Sequence, residues 1–190
     1  MILLLEQQVI PALVGILFTF ISWLFVKIFF SPRIAISKNI SKKTVDDRTA
    51  YRVKIKNYGF RKCSDLIVYA KLEVRGLNEK SKGNFDSFFV NRSFDGIYPV
   101  LYKGRSILLH IYNTIQYDRN YYSPNFISKI ENASSVEDLL NLTDNTKLII
   151  YVIATDNFSG SRKLFTSVEY TVENIDERSF CKDSVELYKK

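Results

Sequence analysis

Histidine occurs once, at His110, and cysteine only twice, at Cys63 and Cys181. A typical four-ligand zinc site is therefore short of donors, so no metal centre and no other cofactor is expected. Two cysteines are also too few for a disulfide scaffold; two reduced thiols are the expectation, with their pairing left open. Glycine (7) and proline (4) are sparse among 190 residues, which argues against a linker-rich or low-complexity chain. No glycine-rich phosphate-cradling run and no Gly-x-Ser-x-Gly elbow occurs. Acidic residues are scarce in one place: residues 27–62 carry 11 Lys or Arg and 2 Asp or Glu, against 16 and 18 elsewhere. The net charge of +7 thus belongs to one segment rather than to the whole surface. A nucleic-acid partner is not favoured, because no aromatic stacking platform can be assigned.

What precedes that basic segment is hydrocarbon. Val9 to Val26 is uncharged, interrupted only by Pro11, Thr19 and Ser22. With residues up to Phe30 and Lys27 snorkelling to the interface, 9–30 reads as a transmembrane helix behind a short leader, 1–8. The leader carries Glu6 and no Lys or Arg, unlike the start of a cleaved signal peptide. Lys27, Arg33, Lys38, Lys42 and Lys43 follow closely. The positive-inside bias then places the N-terminus outside a plasma (inner) membrane and the long C-terminal portion in the cytoplasm. Five Asn-x-Ser/Thr sequons, starting at Asn39, Asn91, Asn132, Asn141 and Asn157, pull the other way but matter only in a glycosylating compartment.

After Phe30 the apolar period is two. In YRVKIKN, Tyr51, Val53 and Ile55 alternate with Arg52, Lys54 and Lys56, predicting a half-buried strand with a cationic outer face. DLIVYAKLEVRG turns Leu66, Val68, Ala70, Leu72 and Val74 inward, and Gly59 between the two segments suggests a hairpin. Further strands are expected at RIAIS, FDSFFV, RSILLHIYNTI, KLIIYVIATD and RKLFTSVEYTVENI, the last with Leu164, Val168, Tyr170 and Val172 facing in. Residues 76–84 and YDRNYYSPNFIS read as loops. SSVEDLLNL reads as one short inserted helix, with Ser134 and Glu137 as a capping box and Leu139, Leu140 and Leu142 apolar.

The fold expected is mainly β: an N-terminal transmembrane helix, a basic juxtamembrane segment with the first strand (31–50), an antiparallel immunoglobulin-like β-sandwich (51–180) and a tail (181–190). A small barrel has the same periodicity. LIIYVIATDNFSGSRKLFTSVEYTVENI resembles the penultimate hairpin of the cytoplasmic immunoglobulin-like domain of inward-rectifier potassium channels. That resemblance implies a shared fold but no pore, since the chain has one spanning segment and no Thr-Val-Gly-Tyr-Gly filter. The layout also resembles bacterial single-pass proteins with a β-rich cytosolic domain.

Candidate function follows charge. Lys38, Lys42 and Lys43, expected near the bilayer, and the row Arg52, Lys54 and Lys56 are candidates for binding lipid headgroups or another anion. Asp156, Asn157 and Ser159, in DNFSGS, have the polarity of a small ligand loop, although a hairpin turn needs the same residues. His110 lies mid-strand and reads as structural, and no catalytic residue is assigned. The expected function is a non-enzymatic, membrane-tethered module that binds a protein partner or itself. The alternative is a ligand-gated effector, in which the β domain senses an anionic small molecule, such as a nucleotide signal in bacterial defence, and the helices oligomerise. Gly15 and Thr19 offer a small-residue helix contact for that purpose.

Overall fold

A computed structural model gives the architecture, describing residues 2–29, 31–45, 48–75, 85–93, 97–118 and 122–188. The expected loop at 76–84, the carboxylate pair Asp46 and Asp47, and part of the aromatic stretch (119–121) lie outside the described residues, as does the side chain of Lys27.

Helix α1 covers Ile2–Phe29, so the stretch read as a leader continues the same helix. Its 28 residues span about 42 Å at 1.5 Å per residue, more than the roughly 30 Å of a hydrocarbon core. The window Val9–Val26 has a mean hydropathy of 2.4, and 0% of it is buried against protein. The helix is therefore long and apolar enough to cross a membrane, and no described part of the chain shields it. Thr19 donates its hydroxyl to the Gly15 carbonyl at 2.8 Å, so a polar side chain in the run is satisfied within the helix, as hydrocarbon requires.

The strands are β1 (Ile34–Ile36), β2 (Ile40–Val45), β3 (Arg48–Asn57), β4 (Cys63–Arg75), β5 (Phe85–Arg92), β6 (Ile97–Leu101), β7 (Ser106–Gln116), β8 (Lys147–Asp156), β9 (Arg162–Thr166) and β10 (Ile175–Asp176). Helices α2 (Pro124–Glu131) and α3 (Val136–Leu140) connect β7 to β8. The sheet order is β10-β2-β3-β7-β5-β4-β8-β9; β1 pairs with β3, and β6 with β4. Pairings are antiparallel except β10 with β2.

The mainly β character is as expected. The two facing sheets of an immunoglobulin-like sandwich are not found, because the described strands form one sheet curled into half a barrel. Register shifts between Ser64 and Ile67 and between Val90 and Arg92 add local twist, and Asp65 takes a left-handed φ of 51° at the first of them. The hairpin expected of β3 and β4 is also absent. β3 pairs with β1, β2 and β7, while β4 pairs with β5, β6 and β8. β5 and β6 lie in line along β4, and β5 also pairs with β7.

Alternation built the inner face as the sequence suggested. Val53, Ile55, Leu66, Val68, Ala70, Leu109, Ile150 and Val152 are fully buried. The inserted helical region covers part of this face. Phe88 of β5 meets Tyr122 and Phe126 at ring separations of 5.1 and 5.5 Å, seating α2, and Val136, Leu139, Leu140 and Leu142 are buried around α3. Helix α2 replaces an expected loop. Ser123 caps it, accepting from the Phe126 amide, and Pro124 opens its first turn. On β9 the phase differs from expectation. Phe165 packs against the core and Leu164 is exposed, because Phe165 stands opposite the buried Val152. Val168 is likewise exposed, whereas Tyr170 is fully buried and donates to the Ser37 carbonyl.

Candidate functional site

β1 and β2 run end to end beside β3, away from the end where α1 enters: Ile34 stands opposite Asn57, and Lys43 opposite Ala50. At about 3.3 Å per strand residue, Lys38 sits roughly 13 Å beyond the level of Asn57, Lys42 roughly 20 Å and Lys43 roughly 23 Å. Lys42 and Lys43, close to α1 in sequence, are thus carried well away from the α1 end along the sheet. Lys42 instead pairs with Glu137 of α3 at 2.8 Å, and that hydrogen bond holds its ammonium above the ordinary lysine range. Lys38 and Lys43 are exposed.

The row on β3 is not the open cationic face expected. Lys54 and Lys56 are only 4% and 8% exposed. Lys54 donates through Nζ to the carbonyls of Cys181 and Lys182, at 2.6 and 2.9 Å, and Lys56 donates to the carbonyl of Asp183. The C-terminal segment supplying those oxygens is a small hairpin. Phe180 bridges to Leu187, and the amides of Cys181 and Tyr188 donate to Glu186 and Ser179. Carbonyls replace the water that a buried ammonium loses. Burial still pushes the Lys54 pKa down, helped by the neighbouring Lys56. Arg52 remains half-buried, donating to Ser41 at 3.3 Å, and stands opposite His110 on β7. Burial and the Arg52 charge push the imidazole pKa down. The structure thus brings Arg52, Lys54 and Lys56 together but spends two of them on holding the tail.

Asp156 of the expected ligand loop is 2% exposed. Its Oδ1 accepts from the Phe158 amide at 3.0 Å, and from the Ser159 amide and hydroxyl at 2.8 and 3.0 Å. The carboxylate therefore shapes its own turn, which Gly160 closes with φ at 67°; Asn157 and Ser159 are exposed on it.

A polar cleft of about 580 Å³ opens where α3 leans on β2, β3 and β7. The helix N-cap is one residue later than expected: Ser135 accepts from the Asp138 amide, and Asp138 accepts from the amides of Ser134 and Ser135. The Ser134 hydroxyl also donates to this carboxylate at 2.8 Å, and that bond first, then the bond with the Ser135 side chain, holds the Asp138 pKa below the usual carboxylate range. Shifting the cap releases Glu137 to face the sheet, where it accepts from Tyr51 and pairs with Lys42. The cluster cancels its own charge and ties α3 to the sheet. No histidine or cysteine lines the cleft, and no group of potential metal ligands occurs among the described residues. Cys63 and Cys181 are both free thiols; burial, then the nearby Asp156, pushes the Cys63 pKa up to about 11.

The outer face of the sheet carries a feature that strand-by-strand reading missed. Ile97 of β6 is registered with Ile67 of β4, Ile67 with Ile153 of β8, and Ile153 with Leu164 of β9. Directly registered residues share a face, so these side chains form one apolar row across four strands. Ile97 and Leu164, at its ends, are 58% and 55% exposed. Only the register between distant strands makes this row visible; the signal in the sequence was an apolar residue at each outward position. No family model matches the chain, and no curated protein is similar to it.

Proposed function

We propose that the chain is a membrane-tethered interaction module. α1 spans the bilayer with its N-terminus outside, and the β domain, on the cytoplasmic side, binds a protein through the outer apolar row. The tether rests on an apolar helix that the domain leaves bare. The orientation rests on the cations following the helix, which an insertion machinery meets as sequence, before the sheet carries Lys42 and Lys43 away. The observation that carries the binding role is the row Ile97, Ile67, Ile153 and Leu164, since an apolar strip reaching the edge strand β9 is a surface that protein contacts cover. A sensor of small anions is less well supported, because Lys54 and Lys56 hold the tail and Lys42 is paired with Glu137.

The test is a photo-crosslinking residue at Leu164 of the full chain in native membranes. A discrete adduct that disappears with Ile97→Lys is expected, its mass telling a second copy from another protein. Absence of any adduct, or one indifferent to Ile97→Lys, refutes the assignment.

A further inference from the structure

Four connections meet at the end of the sheet where α1 enters. Ile34, just after the helix, is registered with Asn57 at the end of β3, while Cys63 at the start of β4 is registered with both Leu101 and Asp156, the last residues of β6 and β8. Segments 31–33, 58–62, 102–105 and 157–162 therefore share one end of the fold. Backbone bonds lock several of them together. The Tyr58 amide donates to the Arg33 carbonyl at 2.8 Å, the Asn57 amide to Arg105 at 3.1 Å, and the Gly104 amide to Asn57 at 2.9 Å.

These four segments carry six basic residues and no Asp or Glu: Arg33, Arg61, Lys62, Lys103, Arg105 and Arg162. They also hold Tyr58, Phe60, Tyr102 and Phe158, which are 49%, 51%, 61% and 68% exposed. Cations and rings are interleaved. The guanidinium of Arg33 and the ammonium of Lys103 lie 5.3 and 5.8 Å from the centre of the Phe60 ring, and Arg61 lies 4.5 Å from that of Phe158. Phe29, closing α1, meets Phe60 at 5.4 Å between ring centres, so the helix end and this face are continuous.

From this juxtaposition we infer that the α1 end of the β domain is a bilayer-docking face that binds anionic phospholipid headgroups. The inference rests on the proposed tether, which delivers this end to the lipid surface. Exposed rings with polar or cationic neighbours suit the headgroup layer, where an apolar body is wetted on one side. Lysine and arginine gain from the negative potential of an anionic leaflet; the four segments hold no acid, and the adjoining buried Asp156 lies 4.0 Å from Arg61. Arg33 follows α1 directly, whereas the other five cations come from segments distant in sequence and reach the helix end through folding alone. Docking fixes the domain's tilt, with the apolar row on the outer face of the sheet about 10 Å along the strands from the docked end.

Brominated-lipid quenching tests both readings separately. Trp23 is the only tryptophan of the chain. In the full chain reconstituted into vesicles brominated in the acyl region, quenching of Trp23 reports insertion of α1. A second chain, carrying Trp23→Phe and Phe158→Trp, reports the face. Its indole is expected to be quenched in vesicles containing phosphatidylserine, and much less in phosphatidylcholine alone or at high salt. Lys103→Glu with Arg162→Glu is expected to weaken docking about fivefold or more per reversed charge. Trp23 quenched while the indole at 158 stays unquenched in every lipid overturns docking and leaves the tether standing. Trp23 unquenched overturns both. Release of the indole at 158 by added RNA, with no dependence on phosphatidylserine, assigns the face to nucleic acid and overturns the lipid assignment.

Discussion

Replacing Asn57 with alanine is expected to destabilise the domain by about 3 kcal/mol. Asn57 is fully buried where the connections at the α1 end converge. Its Nδ2 donates to the carbonyls of Arg61 and Leu101, at 2.8 and 3.0 Å, and its Oδ1 accepts from the Gly59 amide at 2.8 Å. Each such bond contributes about 1 kcal/mol net, and leaving a buried partner unpaired adds to the loss. Gly59 is fitted to the same arrangement, since a Cβ there would stand 2.9 Å from the Asn57 Oδ1. Asn57→Asp should be worse than alanine at neutral pH, because it keeps the acceptor for Gly59 but turns a carboxylate oxygen toward two carbonyls. The assay is urea unfolding of the full chain in detergent micelles, followed by far-ultraviolet circular dichroism. A loss below about 1 kcal/mol for alanine, or an aspartate variant as stable as the parent, refutes the claim that this side chain joins the loops.

Other expectations follow from single contacts. Lys54→Met removes the ammonium that holds two tail carbonyls; hydrogen exchange at the Cys181 and Tyr188 amides should rise about thirtyfold, for roughly 2 kcal/mol of lost bonding, with the rest of the sheet unchanged. Asp65 is exposed at a φ of 51°, so Asp65→Val should cost about 1–2 kcal/mol in urea unfolding through backbone strain alone, while Asp65→Gly should cost far less. The Cys63 thiol titrates near 11 when folded, against an ordinary 9.0. The unfolded chain therefore releases this proton first, so this contribution is intact below pH 9 and falls as pH rises, by about 2 kcal/mol at pH 11. Cys63→Ala should flatten that part of the stability profile, and an unchanged slope refutes the assignment.

Local patterns survived folding well. The alternation in β3 and β4, the apolar run of β8 and the leucines around α3 all bury the residues that period and hydrophobicity select. What depended on relations between segments did not show. Lys54 and Lys56 alternate outward as the period demands, yet the tail hairpin, more than 120 residues later, covers them. Lys42 follows α1 closely in sequence but is carried off by two collinear strands, whereas turns bring Lys103 and Arg162 to the α1 end of the sheet. Consecutive apolar residues at Leu164 and Phe165 allow either phase on β9, and the register with β8 selects the one opposite to that expected, with Phe165 inward. The Ser-Pro start of α2 was a readable signal, outweighed by the irregular aromatic stretch around it.

Membranes from cells expressing the full chain, washed with alkaline carbonate, give the most direct test that α1 is embedded in lipid. The chain should stay in the pellet and leave only with detergent, and a variant lacking residues 2–29 should appear in the supernatant. Release of the full chain by carbonate alone would contradict the tether and everything built on it.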